Sequence, residues 1–492
     1  MRALLVYPQF PDTFWSFRHA LRFVRKRSSF PPLGLLTVAA MLPKEWELRV
    51  VDTNVRPLSD RDISWADSVW IGGMTIQKTS ALEIIERCRA AGRRTIVGGP
   101  MATCEPEVFA HADHLVLNEA EVTLPPFLDE LQRGEPQRVY QSEEKPDLGL
   151  VPAPRWDLIS LGRYASMSLQ FSRGCPYDCD FCNVTALLGK RPRTKEPAQV
   201  IGELDALYAA GWRGPVFFVD DNLIGNRREV RRLLPEISAW REGKTPLPLY
   251  TEASINLADD QPLQSAMVQA GFDTVFIGIE TPDPASLDAC HKTQNLKRDL
   301  LADVRKLHRA GLQVQAGFIV GFDTDTPSIF QRQIDFIQQS GIVTAMVGML
   351  QAPVGTRLYQ RLKEQGRLIS NMSGDNADGE TNVLTRMPLE LVQGGYRTIM
   401  NTIYAPEAYY DRVKRFLMDY NAPQVRAGLS WSHLATLART MWGLGVRSPG
   451  RAQYWRLLAW TARKRPQHFA LAVRLWVYGH HFREVCRQRL AV

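Results

Sequence analysis

The sequence predicts an α/β chain with two successive β/α series and a helical C-terminal extension. Three observations carry this. Residues 1 to about 145 alternate short apolar runs with helical patterns, and residues 164–366 repeat that alternation. Beyond residue 366 only helical periodicity is left, and the last seventy or so residues are dense in arginine and tryptophan. With 45% apolar residues in 492, the chain can bury several cores.

In the first series the expected strands are Ala3–Tyr7, Leu48–Val51, Ser68–Ile71, Thr95–Val97 and His114–Leu117. The expected helices are Leu33–Leu42, Lys78–Ala91 and Val122–Arg133. Strands alternating with helices form a doubly wound parallel sheet, whose ligands sit outside the carboxyl ends of the strands. Those ends are Pro8-Gln9, Asp52-Thr53, Gly72-Gly73-Met74-Thr75, Gly98-Gly99-Pro100 and Asn118-Glu119-Ala120-Glu121. Glycine there would let the backbone approach a bulky planar ligand. No G-x-G-x-x-G follows the first strand, which disfavours a dinucleotide.

Residues 146–163 are proline-rich and aperiodic, as in a linker. The second series then offers strands at Ser166–Phe171, Val216–Val219, Leu249–Glu252, Thr274–Gly278, Val314–Val320 and Thr344–Leu350. Helices are expected at Pro197–Ala210, Arg227–Glu242, Pro262–Ala270, Lys297–Ala310, Pro327–Gln339 and Thr356–Gln365. Six units suit a partial, open barrel with its chemistry at the carboxyl ends of the strands.

The first of those ends runs Ser172-Arg-Gly-Cys175-Pro-Tyr-Asp-Cys179-Asp-Phe181-Cys182, a C-x3-C-x2-C loop. Thiolates this close together suit a soft metal centre. The other four cysteines (Cys88, Cys104, Cys290, Cys486) are scattered, so a disulfide framework is disfavoured. A structural zinc site wants a fourth ligand, and no Cys or His lies within ten residues of the triplet. Three ligands leave one iron of a cubane iron–sulfur cluster open.

The triplet, with an aromatic just before its last cysteine, resembles the radical S-adenosylmethionine (SAM) motif. That resemblance implies a [4Fe-4S] cluster on Cys175, Cys179 and Cys182, with SAM chelating the open iron. It places Phe181 beside the cluster or SAM, and Asp220 and Asp221 at the SAM amino group. Glu252, Ser254 and Glu280 fall near its ribose or carboxylate, and the segment through Val320 near adenine. Any one acid at a strand end could instead cap the following helix, as Asp221 and Asp325 could.

The first series resembles the cobalamin-binding domain that precedes many radical SAM cores, on Pro-Pro-Leu-Gly-Leu-Leu 31–36, Val-Gly-Gly-Pro 97–100 and Asn-Glu-Ala-Glu 118–121. Relatives often carry Gly-Glu-Gly-Glu in the last. The expected cobalamin contacts are Pro8, Gln9, Gly73, Met74, Thr75, Gly98, Gly99, Pro100, Asn118 and Glu119. The D-x-H-x-x-G signature is absent, and Asp12 and His19 stand too far apart in sequence to imitate it, so cobalamin is expected without a histidine below cobalt. A degenerate flavodoxin-like domain with no cofactor is the plainer reading.

The fold expected on this resemblance is α/β. It has an N-terminal doubly wound Rossmann-like cobalamin-binding domain (1–145), a linker (146–163) and a partial (β/α)6 radical SAM barrel (164–366). A C-terminal extension or lid (367–425) and a basic, Trp-rich helical tail (426–492) follow. The run Gly374-Asp-Asn-Ala-Asp-Gly-Glu-Thr-Asn382 resembles the C-terminal extension of hopanoid C-2 methylases. A helical stretch is expected from Pro388 to about Tyr420.

The net charge of +8 belongs to the tail. From Asn421 onward twelve Lys/Arg face the single acid Glu484, which leaves −3 for the preceding residues. Trp431, Trp442, Trp455, Trp460 and Trp476 fall among them, in two or three helices broken near Gly445–Pro449 and Arg463–Gln467. Basic residues with tryptophan on amphipathic helices favour peripheral contact with anionic lipid. Apolar interleaving as heavy as Phe469–Tyr478 disfavours nucleic acid. A packed helical appendage with solvated arginines is the plainer reading.

No apolar run reaches eighteen residues, so nothing is expected to span a membrane. The first strand begins at once, leaving no room for a targeting segment. The expected location is cytoplasmic, peripheral at the inner face of the membrane.

The cobalamin-dependent radical SAM resemblance implies methylation of an unactivated carbon in a lipid, hopanoid-like, or in another natural product. A radical formed from SAM takes hydrogen from substrate, and the carbon radical captures methyl from methylcobalamin. A flavodoxin or ferredoxin would supply electrons. Oxidative ring closure or rearrangement is the alternative, and a cobalamin sensor the non-enzymatic one.

Overall fold

The computed structural model describes residues 1–421 and 431–489. The start of the tail, with Arg426 and the expected boundary at 425/426, lies outside the described residues, as do the side chains of 431–433.

The first sheet holds six parallel strands: β1 (Arg2–Tyr7), β2 (Glu47–Asp52), β3 (Ser68–Gly72), β4 (Arg94–Gly98), β5 (His114–Val116) and β6 (Val139–Tyr140). Five of these match the sequence expectation. The sixth escaped it because two residues carry no periodicity. The order β2-β1-β3-β4-β5-β6 puts the switch of winding direction between β1 and β3. Alternate residues feed two cores. Leu4, Val6, Val69, Ile71 and Val97 pack under helices such as Lys78–Ala90, while Ala3, Leu5, Trp70 and Ile96 pack under Leu33–Met41 and Ala120–Arg133. The short helices Arg18–Val24, Asp60–Trp65 and Pro100–Cys104 were not expected; the second is announced only by its Ser59 capping box with Asp62.

Residues 146–163 contain three 3₁₀ turns, and they bury Leu148, Val151 and Trp156. Strand β7 (Met167–Leu169) is shorter than expected because the amides of Phe171 and Ser172 turn aside to the Asp220 carboxylate. A hairpin of β8 (Ser172–Arg173) with β9 (Arg193–Thr194) closes the cysteine loop. β10 (Val216–Phe218), β11 (Leu249–Glu252), β12 (Phe272–Glu280), β13 (Gln313–Val320) and β14 (Ala345–Met349) complete the second sheet. Its order is β14-β13-β12-β11-β10-β7, parallel throughout, with a helix after each strand. This is the open six-stranded barrel the sequence predicts.

The stretch expected as one helix to Tyr420 is two, Leu389–Ile403 and Pro406–Asp419, broken before Pro406. The tail forms Trp431–Gly445, Arg451–Lys464 and Phe469–Arg489, with breaks where glycine and proline predict them. The last helix is no free amphipathic surface. Leu475, Trp476 and Phe482 are fully buried in the same core as the barrel strands, and Phe482 stacks on Phe14 at 4.1 Å. No helix among the described residues is long and apolar enough to cross a membrane.

Candidate functional site

The two β/α series face each other across one crevice, and four sets of contacts bridge it, beyond the carboxyl ends of β1, β2, β5 and β14 and at the amino end of β7. Arg173 of the cysteine loop donates to Glu119 and Glu121, just after β5, at 2.8 Å each. Tyr164, ahead of β7, bonds Asp52 at the end of β2 at 3.0 Å. Trp15, beyond β1, donates its indole N–H to the Met346 sulfur at 2.9 Å and sits edge-on to Phe276 at 5.4 Å. The loop 369–382 covers the end of β14, where Asn382 holds Ala352 through both its amide and carbonyl. Gly374 of that loop lies so close to Thr75 and Ile76 of the first sheet that a Cβ would come within 2.7 Å of backbone.

The cysteine loop needs its glycine. Gly174 has φ +96°, and a Cβ there would meet the carbonyls of Gly189 and Arg191 at 2.8 and 3.1 Å. Burial raises the thiol pKa of Cys175, and that of Cys182 to about 12. The Cys179 sulfur raises both further, and Cys175 adds to the rise at Cys182. Thiols that resist ionisation alone, yet cluster, are suited to a cation that makes the thiolates outright. Two amides point at them: Asn222 Nδ2 lies 3.7 Å from Cys175 Sγ, and Gln294 Nε2 3.7 Å from Cys179 Sγ. Phe181 is edge-on to Phe322 at 6.2 Å, with the Lys292 ammonium 5.8 Å from its ring centre.

The acids expected near SAM separate into different environments. Asp220 is fully buried and accepts from the amides of Phe171 and Ser172 and the Ser172 hydroxyl, so it shapes the cysteine loop. Asp221, beside it, has a buried Oδ2 with no hydrogen-bond partner among the described residues, and burial lifts its pKa to about 6. Glu252 is lifted to about 8 by burial first, then by Asp221 and Asp220. Ser254 is tied to Asn222 and, at 2.7 Å, to Asn256. Glu280 has φ +65° at the end of β12 and pairs with Lys292 at 2.6 Å. The Val320 side chain is fully buried, while its carbonyl accepts from Leu350 at 2.8 Å.

At the first sheet, the glycines answer to their own neighbours. A Cβ on Gly98 would lie 2.7 Å from the Val116 carbonyl, one on Gly73 2.9 Å from Gln77 Oε1, and Gly99 (φ +81°) abuts Gly73. Strand packing therefore explains these glycines without a ligand. The Pro8 carbonyl accepts from Gln77 and Asn54, and the Gln9 amide donates to Ser80. Pro100 starts the helix Pro100–Cys104, and the Thr75 carbonyl accepts from Lys78. Asn118, at φ +63°, donates its amide to Thr103. Glu119 is buried between Arg173 and Arg193, whereas Met74 leaves half its surface open at the end of β3.

Sequence reasoning missed Lys292 and Gln294, which lie in no motif, and placed Asn222 only as the last residue of the strand end that carries Asp220 and Asp221. Gln294 and Lys292 reach the site from the segment after Pro284–Ala289, which only the fold brings to the cysteines. Trp15 was equally silent, being one aromatic in a loop.

Residues 169–337 match the radical SAM superfamily, and residues 356–491 match a domain of unknown function (DUF4070). An uncharacterised methyltransferase of Synechocystis sp. is 43% identical, covering 100% of this chain and 93% of its own. The hopanoid C-2 methylase of Rhodopseudomonas palustris is 34% identical over 92% of this chain and 88% of its own. Among solved structures, the cobalamin-dependent SAM radical enzyme OxsB, with aqua-cobalamin and SAM bound, superposes with TM-score 0.63 at 15% identity, covering 99% of this chain and 79% of its own. The radical SAM methyltransferase TsrM of Kitasatospora setae, with cobalamin and a [4Fe-4S] cluster bound, gives 0.56 at 15% identity over 98% and 99%. At such identity these two speak for the fold.

Proposed function

The chain belongs to the radical SAM methyltransferases that include the hopanoid C-2 methylase, and from that premise we propose that it methylates an unactivated carbon of a polycyclic, hopanoid-like lipid, with cobalamin as methyl carrier. The observation that carries the substrate class is the 34% identity to that methylase over 92% of this chain and 88% of its own. The division at 145, 163, 366 and 425 is part of the same proposal.

The residues fit the groups assigned to them. Cys175, Cys179 and Cys182 would hold the cluster, with Asn222 and Gln294 donating to its cysteine sulfurs. The unpartnered Asp221 oxygen and the raised Glu252 carboxyl suit a ligand bearing an ammonium, which SAM offers. Lys292, held by Glu280, stands beside Phe181 where a ligand carboxylate would find a cation. Cobalamin would lie along Pro8, Gln9, Gly73, Met74, Thr75, Gly98, Gly99, Pro100 and Asn118, with exposed Met74 the side chain most open to it. Glu119 would support that edge from behind, through Arg173. When bound, the cluster, SAM and cobalamin supply an electron, a hydrogen-abstracting group and a methyl carrier. The protein's share is to align them and exclude water, and the loop 369–382 is placed to do the latter. Trp15, Phe276 and Met346 give the crevice an apolar wall suited to a hydrocarbon.

A flavodoxin- or ferredoxin-type donor is part of the proposal, as is membrane contact through the exposed side chains Leu434, Trp442, Val446 and Trp455, next to Arg447 and Arg451. The test is anaerobic turnover of cluster- and cobalamin-reconstituted protein with SAM, a reductant and a hopene. A product heavier by one methylene is expected. SAM cleavage without any methylated hopanoid would overturn the substrate class.

A further inference from the structure

The segment after β1 and the last helix, more than 450 residues apart in sequence, build a second cluster of ligating side chains away from the cysteines. Asp12, His19 and His481 each present one donor atom, and the three atoms lie within 4.8 Å of one another. Asp12 Oδ2 and His19 Nε2 are 2.7 Å apart, and the His19 and His481 rings are 5.5 Å apart, inclined by 30°. The sequence separates Asp12 from His19 by too much to form a recognised signature, and the fold brings them together regardless.

A simple hydrogen-bonded network accounts for Asp12 and His19 but not for His481. That ring is fully buried, and its Nε2 lies 3.0 Å from the Phe14 carbonyl, which makes Nε2 the protonated nitrogen. Its Nδ1 then carries a lone pair, buried and without a partner among the described residues. Burying an unpaired nitrogen is costly unless something accepts its lone pair. The arrangement around it is that of a ligating imidazole: one nitrogen donates to a backbone carbonyl, fixing the tautomer, and the other is free. Asp12 is supported likewise, its Oδ1 accepting from Ser16 at 3.0 Å. Phe17 stacks on His481 at 5.3 Å and shields the site. The neighbouring His480 is excluded as a ligand because it faces Arg22.

We propose that Asp12, His19 and His481 bind a first-row divalent cation, zinc by default. Two imidazoles and a carboxylate are a donor set that zinc accepts, at about 2.0–2.2 Å from each atom. A tetrahedral ion needs donors about 3.3 Å apart, so the widest pair must close and the Asp12–His19 pair open slightly, which side-chain rotation provides. The fourth position is left to water. The ion ties the final helix to the loop carrying Trp15, and so fixes one wall of the crevice from behind.

The test uses full-length protein with its iron–sulfur cluster reconstituted, equilibrated with zinc and dialysed, then analysed for zinc and iron. About one zinc per chain is expected, with affinity falling at least about tenfold in Asp12→Asn and His481→Gln while iron content holds. No zinc in the wild type, or equal zinc in both variants, overturns the site. Should a variant not fold, zinc X-ray absorption of the wild type decides: a nitrogen and oxygen shell supports the site, and sulfur in the shell puts the zinc on cysteines and refutes it.

Discussion

Arg173 and Glu119 meet at 2.8 Å across the crevice, both nearly closed to solvent, and so lock the cysteine loop onto the first sheet. Glu119 serves Arg193 as well, so its loss leaves Arg193 without an acid while Arg173 falls back on Glu121 alone. Removing one member of a buried pair costs about 3–5 kcal/mol. Glu119→Ala is therefore expected to lower the melting temperature by several degrees and to reduce iron retained after reconstitution. Glu121→Ala should do less, because Arg173 keeps Glu119. Equal effects of the two would contradict this reading of the network.

The raised carboxyls fix a pH dependence. Burial penalises the anion and so lifts Asp221 to about 6 and Glu252 to about 8, both above the ordinary carboxylate range. Between about pH 5 and pH 8 the folded, ligand-free protein holds protons that the unfolded chain has released, so its stability falls as pH rises. Affinity for SAM should move oppositely, tightening across that interval as the carboxylates ionise to face its ammonium. Calorimetric titration at several pH values, with melting curves of the ligand-free protein, checks both signs. A flat SAM affinity would remove these two acids from the site.

Much of this was legible in the sequence, and the remainder has physical reasons. Short, nearly continuous apolar runs marked every barrel strand, because strands buried on both faces are nearly all apolar. The cysteine spacing marked the loop because its chemistry is local. Asp220 was read as a SAM contact, since a strand-end acid looks alike whether it faces a ligand or, as the hydrogen bonds show, braces the backbone of Phe171 and Ser172. Gly98 was read as room for a ligand, and the Val116 carbonyl demands glycine there whether or not a ligand lies alongside. Lys292, Gln294 and the Asp12–His19–His481 group were invisible because their meaning lies in contacts across the fold.

Phe482 gives a stability test of the last helix. It is fully buried, stacked on Phe14 at 4.1 Å and within 5.1 Å of Tyr404. Phe482→Ala should cost about 3–5 kcal/mol. Urea titration is the measurement, and a loss under about 1 kcal/mol would mean that the helix adds little to the fold.

The tail's tryptophans divide, and that division decides how membrane contact is tested. Trp476 is fully buried against Tyr409, so deleting the tail would uncover the core and confuse unfolding with loss of binding. Trp442 and Trp455 expose 59% and 44% of their surface, and the Arg447 guanidinium lies 5.1 Å from the Trp442 ring. An exposed indole beside a cation suits the headgroup boundary of an anionic bilayer. Trp455 also donates to the Gly445 carbonyl at 2.9 Å, which makes Trp442→Ser the cleaner variant. Flotation with vesicles of phosphatidylglycerol and phosphatidylcholine is the measurement. Binding should fall about tenfold in Trp442→Ser and weaken with salt, since lipid charge and indole insertion both contribute. Methylation of a hopene dissolved in detergent should be unchanged, because Trp442 lies outside the residues assigned to the crevice. Vesicle binding equal to wild type would take the membrane away from this face of the protein.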